Sequence, residues 1–382
     1  MDIAPPEIWT RISSYACTDA GSTGRSLSLV SKFIRDTSAP FKLQSMSIHG
    51  SQQAIAFQGI LLRTPPHLRR VRYLYLSATA YCPSTLHTSS PFGVADLDGQ
   101  AALNRFDLAF KLRQLGKRDA WNELVKERRE NTEKLQQIVI ALNRILQITS
   151  EWVEILYLDG HDPFHVTYSP LIIFPRLEEL ASRSVPVQNP PSDSDVVQTP
   201  VVCPKLRRWH LMSLPTMQLP RGGGDIFSTI ATIAPSITDL FFSGLQLEIW
   251  FPSHLNIAFD GIQPQQSSSS TDSGRLSTFN HPISCIGRLP KSIENVYLKP
   301  APAPGPGGRC DHPYMCYEGL KGEMEALSRA DNRIVLLPSY VDHRARCTVS
   351  EWEERINGDQ QAPDVQQEVI GGTTSVLAAL VD

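Results

Sequence analysis

Apolar residues recur along the chain in a short template, in which one apolar residue is followed by two more at the third and fifth positions after it. Because alternate residues of a strand point to the same side, this spacing predicts strands that are buried on one face. The template occurs six times, with apolar residues at all three places in five copies and Ser182 at the last place of the other. Its middle position falls on Leu74, Leu156, Leu180, Trp209, Leu240 and Val296. We expect these six side chains to point into one shared core.

The spacing of the copies indicates how the strands are arranged. The three central gaps are 24, 29 and 31 residues, which is the slightly stretched range of a leucine-rich repeat. Copies that begin at Leu177, Leu206 and Ile237 have a proline two residues earlier, which fixes the turn into the strand without removing a hydrogen bond. The chain therefore predicts an irregular, right-handed array of short parallel strands, with a last strand over 334–337.

Helical periodicity marks the segments around and between these strands. The first 40 residues predict two short helices, of which the second spans about 26–36. A strand-like run over 43–49 precedes a helix over 52–63, and an inserted helical region lies at about 100–149. This region carries an apolar stripe that we expect to pack against the first two strands. The stripe consists of Leu135, Ile138, Val139, Leu142, Ile145 and Leu146.

These elements predict an α+β fold in three parts. An N-terminal helical module spans 1–40, an irregular leucine-rich-repeat-like solenoid spans 41–347, and a C-terminal helix with a mobile tail spans 348–382. A Ser-x-x-Glu capping box predicts the start of that last helix. Two stretches of the solenoid are poor in apolar residues and predict flexible loops, the serine-rich 263–275 and the proline-rich 300–308.

The position between the two later residues of the template is expected to face away from the core. Four of its six occupants are aromatic, and interfaces favour such residues because they bury a large area at low entropic cost. The candidates for target binding on this row and in the loops after it are Tyr75, Tyr157, His161, His210, Phe241 and Tyr297. The alternative is that helices or proline-rich loops cover the row and make it a second core layer.

Composition narrows the classes of function and location. The chain has 36 basic and 39 acidic side chains, and this balance lacks the basic excess expected of a nucleic-acid-binding protein. No run of 18 apolar residues is present and the first residues lack signal-peptide features, so we expect a soluble protein of the cytoplasm or nucleus that does not bind membranes. The seven scattered cysteines suit reduced thiols in those compartments.

Motifs for catalysis or metal binding are sparse. Cys310 and Cys316, with His312 between them, lack the short spacing of a structural zinc site and have no second pair. The glycines of 221–225 lack the Gly-Lys-Ser/Thr ending of a phosphate-binding loop, and the polar run 159–162 is typical of a turn after a strand. We therefore expect no catalytic residues, no cofactor and no metal.

Two segments near the N-terminus resemble the most recognisable pieces of an F-box. Residues 4–9 with Ile12 resemble its Leu-Pro-x-Glu-Ile opening, and residues 27–35 resemble its Val-Ser-Lys-x-x-Arg closing helix. Together with residues 64–71, the layout is similar to the F-box-like proteins abundant in mushroom-forming fungi. The F-box resemblance covers about 36 residues.

The resemblance implies a substrate-recognition adaptor of a cullin-RING (SCF-type) ubiquitin ligase. In that family the F-box helices dock on a Skp-type linker subunit, which connects them to the cullin, and the C-terminal domain binds a target protein. Carried over by position, the linker-binding candidates are Pro5, Pro6, Ile8, Ile12, Leu27, Val30 and Ile34. This chain has Ala4 and Ile34 where the family has Leu and Trp, and both changes reduce apolar contact area. The alternative is a repeat-type interaction scaffold with no ubiquitin role.

Overall fold

An eight-stranded sheet, in which all strands run parallel, dominates the computed structural model of this chain. Its strands lie side by side in the order in which they occur in the sequence. They are β1 (Ser45–His49), β2 (Tyr73–Ser77), β3 (Ile155–Asp159), β4 (Glu179–Ser182), β7 (Arg208–Met212), β8 (Asp239–Leu245), β9 (Asn295–Pro300) and β10 (Ile334–Leu336). A separate antiparallel pair joins β5 (Val187–Gln188) to β6 (Thr199–Pro200). The structure describes residues 5–77, 118–159, 172–183, 187–188, 199–200, 202–212, 226–245, 250–260, 286–303, 312–339 and 349–357.

Helices precede the sheet and connect several of its strands. They are α1 (Pro6–Ala16), α2 (Ser22–Val30), α3 (Lys32–Ser38), α4 (Gly50–Arg63), α5 (Arg118–Thr149), α6 (Ile226–Ile233), α7 (Phe251–Asp260), α8 (His312–Ala330) and α9 (Val349–Ile356). The chain is thus a mixed helix and sheet protein with short parallel strands, as the sequence predicts. Among the described helices, none combines the length and apolar character needed to cross a membrane.

The apolar template builds the first face of the sheet. Its middle residues stand beside one another on neighbouring strands and form one row across β2 to β9. This row consists of Leu74, Leu156, Leu180, Trp209, Leu240 and Val296, all of which belong to a single cluster of buried residues. The prediction of one shared core is therefore confirmed.

Two details of the first face go beyond the template. The copy centred on Leu180 ends in Ser182, whose buried Oγ accepts a hydrogen bond from the indole Nε1 of Trp209 at 3.1 Å. The hydroxyl is therefore satisfied although it replaces an apolar side chain. In addition, β1 and the turn before it carry a further copy of the template, which consists of Leu43, Met46 and Ile48.

The turns that lead into the strands are stacked by one hydrogen-bond pattern. The carbonyl oxygen of Gln44 accepts the N–H groups of Arg72 and Tyr73 at 2.8 and 3.0 Å. In the next turn the carbonyl oxygen of Arg72 accepts those of Glu154 and Ile155 at 2.8 and 3.1 Å. In the same way, the carbonyl oxygens of Glu154, Glu178, Arg207 and Thr238 each accept two consecutive N–H groups of the next turn. We call this stacked row of turns, where the strands of the main sheet from β1 to β9 begin, the turn edge.

Helices cover the first face of the sheet. Phe57 of α4, Ile230 of α6 and Leu320 of α8 are buried in the same cluster as the strands. The predicted helix over 52–63 is confirmed as α4, and α5 packs along it. The buried part of the predicted stripe on α5 consists of Ile138, Leu142, Ile145 and Leu146. On the same helix Val139 is half-buried, and the side chain of Leu135 lies outside the described residues.

The N-terminal module has three helices, and the prediction of two is wrong. Ser31 is extended, with φ −160° and ψ 165°, and separates α2 from α3. Its Oγ accepts a hydrogen bond from the backbone N–H of Ile34 at 3.1 Å, so Ser31 is the N-cap of α3. Arg35 Nε donates to the carbonyl oxygen of Ser28 at 2.9 Å, which ties α3 back to α2.

The module is held against the turn before β1. A Cβ atom added to Gly24 of α2 would lie 2.6 Å from the carbonyl oxygen of Lys42, so only glycine permits this approach. Gln44 Nε2 donates to the carbonyl oxygen of Ser14 at 2.8 Å. The module and the sheet are therefore in direct contact at the boundary that the sequence predicts near residue 40.

The predicted loops lie mostly outside the described residues. Residues 263–275 and 304–308 are among these. The start of the second predicted loop is ordered, because Pro300 is the last residue of β9 and the N–H of Ala301 donates to the carbonyl oxygen of Leu245 at 2.9 Å. The prediction of a loop from residue 300 is therefore wrong at its first residues.

We expect the Leu156→Ala substitution to lower the free energy of unfolding by about 2 to 5 kcal/mol, because it leaves a cavity in the central row of the first face. The matched control is Leu62→Ala on α4, where the leucine is 49% exposed; its cost should stay within about 0.5 kcal/mol. Urea denaturation followed by circular dichroism measures both. Equal effects of the two substitutions would contradict the shared core.

Candidate functional site

The three N-terminal helices expose large apolar side chains to solvent. We call these residues the apolar module surface; they are Ile8, Ile12, Tyr15, Leu29, Val30 and Phe33. The three on α1 are spaced by four and three residues and so share one side of that helix. Ser13 and Cys17 are buried instead. Burial, together with the charge of Asp19, raises the pKa of the Cys17 thiol to about 11, so this thiol is protonated at neutral pH.

Most of the predicted linker-binding residues lie on this module in exposed positions. Pro5, Pro6, Ile8, Ile12 and Val30 are exposed, and Leu27 is half-buried.

Ile34 is the exception among these candidates. It is only 4% exposed, because the new helix start at Ser31 places Ile34 on the inner side of α3. Its assignment to a surface contact is therefore wrong. Leu29 and Phe33 on either side of Ser31 are exposed instead.

The second face of the sheet carries the aromatic row, and α9 covers part of it. Tyr75 and Tyr157 are 3% and 4% exposed, and both lie in a buried cluster with Trp352 of α9. The ring centroids of Tyr75 and Trp352 are 6.0 Å apart. Phe241 is also buried. The expectation of an exposed row is wrong for these three residues, and the alternative of a second core layer is confirmed for Tyr75 and Tyr157.

A buried carboxylate holds α9 to this face. Glu179 accepts a hydrogen bond from the hydroxyl of Tyr157 at 2.9 Å through Oε1. Its Oε2 lies 2.9 Å from Nε of Arg208 on the neighbouring strand, and Arg355 of α9 approaches Oε1 at 3.6 Å. The hydroxyl donates a hydrogen bond to Oε1 and the two cations balance the negative charge, whereas Oε2 accepts no hydrogen bond from a described residue.

The N-terminal module also contacts α9. The N–H of Ala20 donates to Glu353 Oε1 at 3.1 Å, and Thr18 Oγ1 donates to Asn357 Oδ1 at 3.0 Å. The last described helix therefore touches both the second face of the sheet and the segment between α1 and α2. These contacts join parts of the chain that are more than 300 residues apart in sequence.

A second ion pair lies where β2 and β3 end. Asp159 Oδ1 accepts hydrogen bonds from Nε and Nη2 of Arg183 at 3.1 and 2.9 Å. Its Oδ2 is 3.3 Å from the hydroxyl of Ser77 and 3.5 Å from that of Tyr75. This cluster is satisfied by its own members. The predicted target-binding residue His161, two residues further on, lies outside the described residues.

The predicted residues His210 and Tyr297 lie further along the sheet and remain partly exposed. The Nε2 atom of His210 is 2.8 Å from Ser243 Oγ, and its ring meets the edge of Phe241 with a centroid distance of 4.3 Å. Burial lowers the pKa of His210 to about 3, and the positive charges of Lys299 and Arg355 act in the same direction. A histidine with such a pKa is neutral at pH 7 and is a weak proton acceptor.

Within the described part of the chain, no group of three or more His, Cys, Asp or Glu side chains could hold a metal ion. Of the thiol pair considered in the sequence, Cys310 lies outside the described residues and Cys316 is a half-buried residue of α8. Comparison of the chain with known protein families, curated proteins and solved structures finds no match.

The residues that the sequence did not single out for this site are Trp352, Arg355 and Glu179. Helical spacing places Trp352 and Ile356 on one side of the last helix, and that apolar side was the available signal. Nothing in the local sequence of α9 shows that it lies on strands that precede it by about 170 to 280 residues.

We expect Tyr157→Ala to lower the free energy of unfolding by about 3 kcal/mol or more, since it empties a buried aromatic site and removes a hydrogen bond to Glu179. The partly exposed Tyr297→Ala should cost about 1 kcal/mol. Chemical denaturation measures both. A Tyr157→Ala protein as stable as the unaltered protein would show that this residue is accessible surface.

The acid sensitivity of the fold should depend on His210. Its folded pKa lies below the value near 6.5 of an unfolded chain, so only the unfolded state takes up this proton between about pH 6.5 and 3. The associated stability is fully present above pH 6.5 and is lost as the pH falls, by up to about 1.4 kcal/mol per pH unit. His210→Gln should remove this slope. Denaturation of both proteins from pH 7 to 4 tests the prediction, which equal slopes would contradict.

Proposed function

We propose that this chain is a substrate-recognition adaptor of a cullin-RING (SCF-type) ubiquitin ligase. The N-terminal module would bind a Skp-type linker subunit and through it the cullin, and the sheet domain would bind a target protein. The protein would be soluble, without catalytic residues or cofactor, and would act in the cytoplasm or nucleus. The observation that carries the proposal is the apolar module surface on short helices whose sequence resembles an F-box.

The exposure of this surface supports the docking role. Ile8, Ile12 and Val30 are 49%, 46% and 58% exposed, although each is a large apolar side chain. Several such side chains on one small module mark an interaction surface, because monomeric soluble proteins rarely leave large apolar patches in water. Burial of this area against a partner stabilises a complex by about 25 cal/mol per Å² before the costs of association.

The order of the strands supports the repeat character of the second part. Each strand of the main sheet pairs with the preceding and following strand of that sheet in the sequence, always in parallel. Such an order is expected for a leucine-rich-repeat-like solenoid, in which every unit contacts its neighbours and no others. The irregular lengths between strands fit a degenerate version of that architecture.

The target would bind to the part of the second face that α9 leaves partly open. His210 and Tyr297 lie there, and Tyr297 stacks on Phe241 with a centroid distance of 5.9 Å. Partly exposed aromatic rings that are held by their neighbours are common anchors of protein interfaces.

The second candidate function is an interaction scaffold without a ubiquitin role. The burial of Ile34 favours this alternative, because one of the residues carried over from the F-box resemblance is unavailable to a linker. The two functions share the sheet domain and differ only in the partner of the module.

A binding experiment with purified Skp-type linker separates the two functions. We expect the full-length chain to bind the linker in the micromolar range or tighter, and Ile8→Asp with Ile12→Asp to reduce affinity at least about tenfold by placing charges in an apolar contact. The matched control is Ile140→Asp on α5, where the isoleucine is 55% exposed. Isothermal titration calorimetry measures all three proteins.

The possible results distinguish the proposals clearly. Binding that the double variant loses and the control keeps supports the adaptor. Absence of binding by the unaltered chain, or equal losses in the double variant and the control, contradicts the adaptor and leaves the scaffold. Affinity capture followed by mass spectrometry should recover the linker and cullin in the first case only.

A further inference from the structure

The turn edge carries a row of basic side chains at one fixed position. This position is the residue immediately before the first buried residue of each template copy, in the turns that lead into β1, β2, β3, β4 and β7. We call the row the basic row; its members are Lys42, Arg70, Arg176 and Lys205, with Trp152 in the turn of β3. All four basic residues are exposed.

Stacking of the turns makes this a continuous row. In each of the five turns, the carbonyl group that accepts the hydrogen bonds of the turn edge belongs to the residue two positions after the member of the row. These hydrogen bonds connect all five turns. Neighbouring parallel strands are about 4.8 Å apart, so the distance from Lys42 to Lys205 is roughly 19 Å across four strand spacings. An extended peptide of about six residues has the same length.

Trp152 holds the two central members of the row. The guanidinium carbon of Arg70 lies 5.2 Å from the centroid of the indole ring, and that of Arg176 lies 4.5 Å from it. Cation–π contacts of this kind use the face of the ring and leave the N–H donors of the arginines unused. Within the described residues, neither guanidinium has a hydrogen-bond acceptor or carboxylate partner.

The acidic residues of the same turns do not neutralise the row. The five turns, 41–44, 65–72, 150–154, 174–178 and 203–207, hold seven Lys or Arg residues and three acidic ones, whereas the whole chain has a net charge of −3. One of the three acids, Glu154, is paired with Arg72, which is outside the row, and accepts from its Nε and Nη2 at 2.9 and 2.6 Å. A second acid, Glu178, is exposed. The third acid is Glu151, which is exposed and directly precedes Trp152 in the turn that leads into β3.

We propose that the basic row binds an extended acidic segment of a partner protein. Carboxylates pair with the forked donors of Arg70 and Arg176, and the two lysines contribute charge at the ends of the row. The row is one residue wide, which suits a single extended peptide chain better than the broad phosphate surface of a nucleic-acid duplex. This inference does not depend on the linker, since an adaptor and a scaffold would both use such a surface.

Fluorescence anisotropy with a labelled peptide of eight glutamates tests the proposal, using the full-length protein and a peptide of eight glutamines as the neutral probe. We expect binding of the glutamate peptide at low ionic strength that weakens as salt is added. Arg70→Glu with Arg176→Glu should weaken binding roughly tenfold or more. Because these two arginines also contact Trp152, we use a second variant, Lys42→Glu with Lys205→Glu. It reverses the charge at the two ends of the row and leaves both arginines in place. The matched control is Lys126→Glu with Lys321→Glu, two exposed lysines on α5 and α8.

The outcomes decide the proposal. Loss of binding in both row variants, with binding kept in the control, supports it. No binding of the glutamate peptide, equal binding of the glutamine peptide, or unchanged affinity in both row variants overturns it. Tighter binding of a mixed-sequence 20-nucleotide single-stranded DNA also overturns it, because the partner class would then be nucleic acid.

Discussion

The structure depends on one packing constraint, which is that each strand can bury its template residues only beside a neighbour that does the same. A single strand with three apolar residues on one side has no core of its own. Parallel neighbours in register bring these residues into one row, and helices α4 to α8 then close the row against water. The stacked turns follow from the same register, because hydrogen bonds between them require the strands to start at the same level.

The two faces of the sheet bury different kinds of side chain. The first face buries mainly aliphatic and aromatic groups, and its buried hydroxyl, that of Ser182, is satisfied by the indole N–H of Trp209. The second face contains Glu179 and Asp159, each of which needs compensating donors before it can be removed from water. Tyrosine hydroxyls and arginines supply these donors, and this explains why the covered rings are tyrosines in the places where carboxylates lie close by.

The sequence predicted well what depends on short-range periodicity. All the strands of the main sheet, the shared core and the helix α4 were readable, because side-chain alternation and helical spacing act within a few residues. The break at Ser31 was missed because two helices joined by one extended residue keep nearly the same apolar spacing as one continuous helix, and the burial of Ile34 depends on that break. A cover over Tyr75 and Tyr157 was one of two open alternatives, but the helix that provides it could not be named, since contact with α9 joins residues about 200 to 280 positions apart. Local patterns contain no information about such pairs.

The contacts of α9 also affect how the molecule comes apart. A stack in which each strand touches only its neighbours can in principle open from either end, one unit at a time. Here a helix that follows the last strand in sequence lies on β2, β3 and β4 and is hydrogen-bonded to the segment between α1 and α2. Opening of the early strands therefore also breaks contacts made by the late part of the chain. The early strands and the last described helix therefore open together, which a stack with neighbour contacts alone would not require.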